Sequence, residues 1–117
     1  ECQKRGTTII IGGPFNSGIL AVGAKPGTTY NYEPAPKEIL DKVAKIEKVC
    51  ADHKVPLPAA ALQFPLTPPS VCSVTPGSRD VEELKRNLDL FRFKIPAALW
   101  SDLKSAGLMR ADAPTPK

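Results

Sequence analysis

The chain of 117 residues has no apolar run long enough to cross a bilayer, which takes roughly 18–20 consecutive apolar residues. It has one histidine, His53, and three cysteines, Cys2, Cys50 and Cys72, at spacings that suit neither a zinc site nor a redox pair. The cysteines are expected to be reduced thiols acting as small buried hydrophobes. No Ser–His–Asp or Cys–His set can be assembled, and His53 is expected at the polar end of a helix. No long run of one charge sign occurs either. The formal net charge of +4 comes from cations interleaved with acids, as in Lys37-Glu38 and Asp41-Lys42. Nucleic-acid binding needs a clustered basic face, so it is not expected. The first residues carry no initiator Met and no signal-peptide-like apolar region apart from a strand-like run. They lead to the expectation of a truncated or processed chain in a reducing, cytoplasmic location.

What remains is the composition of a folded domain. With 42% hydrophobic and 24% charged residues the chain can bury one small core. Thr7 to Ile11 is a continuous β-branched run ended by Gly12-Gly13-Pro14. It reads as a strand buried on both faces, as in a parallel sheet. Ile19 to Gly23 is a short apolar continuation, and Ala24 to Pro36 reads as an excursion over the surface. Lys37 to His53 is the clearest helix: Ile39, Val43, Ile46 and Cys50 share one face, widened by Leu40 and Val49. Pro58 to Gln63 predicts a shorter helix that Pro65 ends or kinks. Val71 to Val74 is a second strand. Asp80 to Phe91 predicts a helix capped by Asp80, with Glu83 completing a capping box and an apolar face of Val81, Leu84, Leu88 and Phe91. Pro96 to Ala106 predicts a last helix, with Leu99 and Leu103 on one side and Gly107 as its stop. Trp100 is expected to pack rather than to stack on a ligand. Ala111 to Lys117 is a proline-rich tail.

The order strand, helices, strand, helix, helix is that of a βαβ-type parallel unit. Two strands cannot satisfy their own edges, so partner strands are expected from elsewhere. Both strands end in loops of Gly, Pro and Ser, and in parallel α/β folds ligands sit beyond the C-terminal ends of strands. In Gly12-Gly13-Pro14-Phe15-Asn16-Ser17-Gly18 the glycines allow close backbone approach, and Asn16 and Ser17 offer donors to an anion. Pro76-Gly77-Ser78-Arg79-Asp80 lies at a helix start, where free N–H groups, the dipole and Arg79 favour phosphate. Each loop is also readable as plain turn chemistry, and neither matches a Walker A loop or GxGxxG. The two together point to a phosphate-bearing ligand.

These same residues resemble a known family. Thr8-Ile9-Ile10-Ile11-Gly12-Gly13-Pro14-Phe15-Asn16-Ser17-Gly18-Ile19-Leu20-Ala21 is similar to the seventh strand and loop of the aldo/keto reductase superfamily. Ala60-Ala61-Leu62-Gln63-Phe64-Pro65-Leu66 and Ser73-Val74-Thr75-Pro76-Gly77-Ser78-Arg79 resemble its last crossover helix and eighth strand. The ending Ile95-Pro96-Ala97-Ala98-Leu99-Trp100, with Ala113-Pro114-Thr115-Pro116, resembles the branch of aldose (L-fucose or D-threo-aldose) 1-dehydrogenases and pyridoxal 4-dehydrogenase.

The resemblance implies an α/β fold. Residues 1–117 would be the C-terminal, cofactor-binding part of an eight-stranded (β/α)8 TIM barrel, an incomplete domain with its N-terminal barrel strands missing. It implies NAD or NADP as cofactor, with the pyrophosphate on Gly13, Phe15, Asn16 and Ser17. The adenosine phosphate end would meet Gly77, Ser78 and Arg79, with Asn87 near the adenine. The parent would be an oxidoreductase acting on a carbonyl or sugar. The family's catalytic Asp, Tyr, Lys and His have no counterpart here, so this chain alone is expected to be inactive. The alternative is a non-catalytic remnant, or a subunit that needs an N-terminal barrel half. Three positions depart from the family pattern. Gly12 stands where many members place an aromatic ring under the nicotinamide, and Arg86 where an acidic residue precedes the adenine Asn. Glu83 stands where many NADP users carry Arg. Glu83 would repel a 2′-phosphate and Arg79 would attract one, so NAD and NADP both stand on this reading.

Overall fold

The computed structural model describes residues 1–116, so Lys117, the last residue of the expected tail, lies outside it. Strand β1 (Ile9–Gly12) pairs in parallel with β4 (Val71–Thr75) in a two-stranded sheet. Between them run α1 (Ile19–Val22), the short strands β2 (Thr29–Tyr30) and β3 (Glu33–Pro34), α2 (Lys37–Asp52) and α3 (Leu57–Gln63). A single 3-10 turn at Phe64–Leu66 carries the chain out of α3 past Pro65. Helices α4 (Val81–Arg92) and α5 (Ala97–Ser105) follow β4. The strand–crossover–parallel strand order is the one the sequence predicts.

The register places Ile11 opposite Val74 and Gly12 opposite Thr75. It shifts between Ile9, opposite Val71, and Ile10, opposite Ser73. Cys72 is therefore the extra residue of a β-bulge. Its thiol donates to the Ile9 carbonyl at 3.4 Å, holding the bulge against the neighbouring strand.

The core lies among the helices rather than against the sheet. It joins Ile19 of α1, Val43 and Cys50 of α2, Leu57, Ala59 and Ala60 of α3, and Leu99, Trp100 and Leu103 of α5. The alanines of α3 let neighbouring helices approach closely. Trp100 packs with its ring centroid 6.1 Å from that of Phe64. Two helices end in the same way. After α5, Gly107 takes φ 67°, and the N–H groups of Leu108 and Gly107 donate to Leu103 and Lys104 carbonyls. After α2, Lys54 takes φ 56°, and Val55 and Lys54 donate to Cys50 and Ala51. Both are left-handed C-terminal caps that satisfy otherwise free carbonyls. His53 stands at the end of α2 as expected and reaches across to α5, with Nε2 2.7 Å from Asp102 Oδ2.

Four expectations are corrected. The strands are not buried on both faces: Ile10 is 68% exposed, and of β4 only Val74 is buried. Among the described residues no layer covers one face of the sheet. The predicted apolar face of α4 is also open, with Val81, Leu84 and Leu88 exposed and Asn87 the buried residue of that helix. Only Cys50 behaves as a buried hydrophobe, because Cys2 is partly exposed and Cys72 sits on the open strand. The segment expected to be an irregular excursion contains a hairpin. Thr29–Tyr30 pairs antiparallel with Glu33–Pro34 through a two-residue turn in which Asn31 and Tyr32 both have positive φ. That is the left-handed turn whose twist suits paired strands.

One glycine here is dictated by geometry. Gly23 closes α1 at φ 88°, and a Cβ on it would collide with the Glu47 carboxylate. That carboxylate accepts the Ala24 N–H at 2.9 Å and so ties α1 to α2. Gly23→Ala should destabilise the fold by about 1–3 kcal/mol, read from urea unfolding midpoints. An unchanged midpoint would show that the contact carries nothing.

Burial, with the neighbouring Glu47 charge adding to it, pushes the Cys50 thiol up to about 11. At pH 8 in the native protein, iodoacetamide should modify Cys72 and spare Cys50, with Cys50 reacting only after denaturation. Peptide mass mapping reads this directly, and equal native rates at the two positions would contradict the packing described.

Candidate cofactor site

Because Gly12 lies opposite Thr75, the loops that leave β1 and β4 emerge side by side at one end of the sheet. The first loop, 13–18, is wound unusually tightly. Gly13, Asn16, Ser17 and Gly18 have φ of 60°, 44°, 62° and 103°. Left-handed backbone at a non-glycine residue costs about 1 kcal/mol or more, so something must hold Asn16 and Ser17. The hairpin does. The Asn31 N–H donates to Asn16 Oδ1 at 3.0 Å, and the Tyr32 N–H donates to Ser17 Oγ at 2.8 Å. The Thr29 hydroxyl donates to the Ser17 carbonyl at 2.8 Å. Two left-handed turns thus clip each other.

The direction of these bonds matters chemically. In both side chains the acceptor atom is occupied by the hairpin. The Asn16 Nδ2 hydrogens and the Ser17 O–H donate to no other group among the described residues. The same holds on the second loop. Asn87, buried on α4, donates from Nδ2 to Ser78 Oγ at 3.1 Å and to the Gly77 carbonyl at 3.5 Å. The Ser78 O–H is left to donate elsewhere. Each of these oxygens thus already accepts one hydrogen bond while the side-chain donor makes none among the described residues, a polarity that suits an anion. The backbone at Gly13 and Gly77 is also uncovered, since a Cβ at either position would meet nothing within 4 Å.

Between the loops and α4 lies a cavity of about 130 Å³, lined by Phe15, Gly77, Asn87, Glu83 and Arg86, with Ala21, Pro58 and Leu90 completing the wall. Asp80 caps α4 as expected, its Oδ1 accepting the Glu83 N–H at 2.8 Å. The reciprocal bond differs from a capping box. Glu83 Oε2 accepts the N–H of Arg79, not of Asp80, at 2.8 Å. Glu83 Oε1 meanwhile accepts Nε and Nη2 of the Arg79 guanidinium. The guanidinium bonds, then the Arg79 N–H, hold the Glu83 carboxyl below its ordinary range, and the charge of Arg86 adds to this. Glu83 is therefore ionised at neutral pH, and Arg79 is engaged by it.

The structure brings Phe15, Gly77 and Asn87 to one cavity, with Gly13, Asn16, Ser17 and Ser78 on the loops beside it. Arg79 turns away to Glu83 and does not line the cavity. The resemblance already set Glu83 and Arg86 at the adenosine end as departures, Glu83 also being read as a cap partner; the wall residues the sequence reading missed are Ala21, Pro58 and Leu90. For Leu90 a signal was present: Glu83, Arg86, Asn87 and Leu90 recur at helical spacing on one face. The clasp from Asn31 and Tyr32 had no comparable signal, because it joins residues 15 positions apart through hairpin geometry. Among the described residues no cluster of His, Cys, Asp and Glu could hold a metal ion, and no helix is long and apolar enough to cross a membrane.

Comparison with known proteins gives this arrangement a context. The chain is 40% identical over 107 residues to a pyridoxal 4-dehydrogenase of Microbacterium luteolum, a match covering 92% of this chain and 31% of that protein. It is 40% identical over 116 residues to a D-threo-aldose 1-dehydrogenase of a Pseudomonas species, covering 98% of this chain and 34% of that protein. The chain thus spans about a third of the length of the curated relatives it matches. Residues 1–107 match the aldo/keto reductase family, a stretch that contains both loops, the hairpin that clasps one of them and the helix whose Asn87 braces the other: the chain belongs to that family.

Proposed function

We propose that these residues form the cofactor-phosphate-binding part of an NAD(P)-dependent oxidoreductase built on a (β/α)8 barrel. Its substrate would be a carbonyl/alcohol pair on a sugar or similar small molecule, in keeping with the names of its relatives. One observation carries the reading. Three side chains on two adjacent loops at the C-terminal end of a parallel strand pair have oxygens that each already accept a hydrogen bond and donors that make none among the described residues. Donors fixed in this way can bind phosphate oxygens without rearranging.

The residues present fit such a cofactor. Gly13 and Gly77 leave bare backbone for close approach, and a cavity of about 130 Å³ opens beside Asn87. When bound, the nicotinamide would supply hydride acceptance or donation. The part of this chain would be to hold and orient. Gly13, Phe15, Asn16 and Ser17 would seat the pyrophosphate, while Gly77 and Ser78 would meet the adenosine end with Asn87 near the ring. No general acid is assigned within these residues. A Tyr and its Lys on other barrel strands would handle the proton. The uncovered sheet face and the open apolar side of α4 support docking against further strand–helix units, in one chain or as a partner subunit.

Calorimetric titration of the purified protein with NADH and NADPH tests the reading. Ser17→Ala and Ser78→Ala should each weaken binding of the tighter dinucleotide about tenfold, as expected for loss of a hydrogen bond to a charged group. Absence of binding of either dinucleotide at millimolar concentration would overturn the assignment. Turnover of an aldehyde by the 117-residue chain alone would overturn the placement of the proton chemistry elsewhere.

A further inference from the structure

We propose that Tyr32 is a substrate-contact residue, its ring carried at the tip of the hairpin to bind the face of the sugar or similar ring compound that reacts with the cofactor. The inference rests on the cofactor and substrate reading above. It names a residue for the end of the site that the adenosine cavity does not reach.

Tyr32 is a poor choice for the fold alone. The two-residue turn of the hairpin has Asn31 at φ 51° and Tyr32 at φ 66°. Such turns favour Asn followed by Gly, because both residues need left-handed backbone. Asn31 meets that preference, whereas Tyr32 stands in the place of the glycine and is strained there. No packing offsets the strain: Tyr32 is 90% exposed among the described residues. Tyr30, on the preceding strand of the same hairpin, is packed against the helical core. The clasp on loop 13–18 uses only the backbone of Tyr32, whose N–H donates to Ser17 Oγ at 2.8 Å, and any non-proline residue could supply that bond. The ring is therefore free for something outside the fold. Its place suggests what. The hairpin bonds to loop 13–18 at Asn16 and Ser17, yet no hairpin residue lines the cavity between the loops and α4. A long ligand with its adenosine end in that cavity and its phosphates on Ser17 would carry its reacting end to the hairpin's side. A tyrosine ring offers an apolar face and a hydroxyl at its tip. An aldose and pyridoxal, the compounds named in the relatives, share a ring edged with hydroxyls. The Tyr32 ring can stack on theirs, and its hydroxyl can bond to their hydroxyls. Strain kept at an exposed side chain beside a binding loop is the pattern of a functional position.

The test compares Tyr32→Gly, Tyr32→Asn and Tyr32→Phe with the unsubstituted protein as the cell makes it, using a D-threo-aldose and pyridoxal as substrates with NAD or NADP. Gly and Asn tolerate left-handed backbone and keep the N–H that donates to Ser17, so both variants remove the ring and leave the clasp. KM for the better substrate should rise about tenfold in both, with kcat and the calorimetric affinity for the dinucleotide held within about twofold. Tyr32→Phe keeps the stacking face and should stay within about threefold of the original KM. The urea midpoint of Tyr32→Gly should equal or exceed that of the unsubstituted protein, because the strain is relieved. Unchanged KM in Tyr32→Gly and Tyr32→Asn would overturn the proposal. A lower urea midpoint in both would assign the ring to packing within the complete protein and would overturn it as well. Dinucleotide binding without turnover of either substrate would remove the substrate reading, and this inference with it, while leaving the cofactor site standing. Failure of both NADH and NADPH to bind would remove the cofactor reading itself.

Discussion

Everything proposed for the site depends on the parallel register of two short strands. If Gly12 were not opposite Thr75, the loops that follow β1 and β4 would end at different heights and could not serve one ligand. The register is not set by a deep sheet core, because only Val74 of the two strands is buried. It is set by backbone bonding together with the bulge at Cys72, which shifts the pairing by one residue between Ile9 and Ile10. One residue matters a great deal in a strand, because side chains alternate between faces. After the bulge, Ile11 and Val74 share a face and Ile10 and Ser73 the other.

A second level of organisation acts on polar groups. The hairpin after α1 and Asn87 of α4 do the same thing from opposite sides: each occupies the acceptor atoms of a loop and leaves its donors outward. The strain in Asn16 and Ser17 is the local cost of that arrangement, offset by the bonds from Asn31, Tyr32 and Thr29. Around α4 two ion pairs form, Arg79 with Glu83 and Lys85 with Glu82, while Arg86 in the cavity wall has no carboxylate partner among the described residues.

Much of this was legible in the amino-acid order because it is local. The apolar spacing of α2, the Asp80 cap of α4 and the Gly107 stop of α5 each depend on neighbours within a turn or two, and each is found where the residues indicate. The two loops were also legible, since Gly, Pro and Ser after a β-branched run mark a strand end. What escaped depends on distance or on partners. Ile10, Val81, Leu84 and Leu88 have the pattern of buried residues, yet periodicity says only that a face is apolar, not what covers it. The hairpin at Asn31-Tyr32 lacks glycine, so its left-handed turn carried a weak signal. The turn of Glu83 toward Arg79 is a choice among several acceptor–donor pairings that the residue types alone leave equal.

The tryptophan has a further consequence. Trp100 is the sole indole in the chain, it is only 2% exposed, and its Nε1 has no hydrogen-bond partner among the described residues. An indole shielded from water and without a polar partner emits toward the blue end of its range. Because it sits where α3 and α5 meet, its emission colour reports helix-core integrity from a single chromophore. The protein thus carries its own optical gauge, which reads the helical core separately from the exposed sheet.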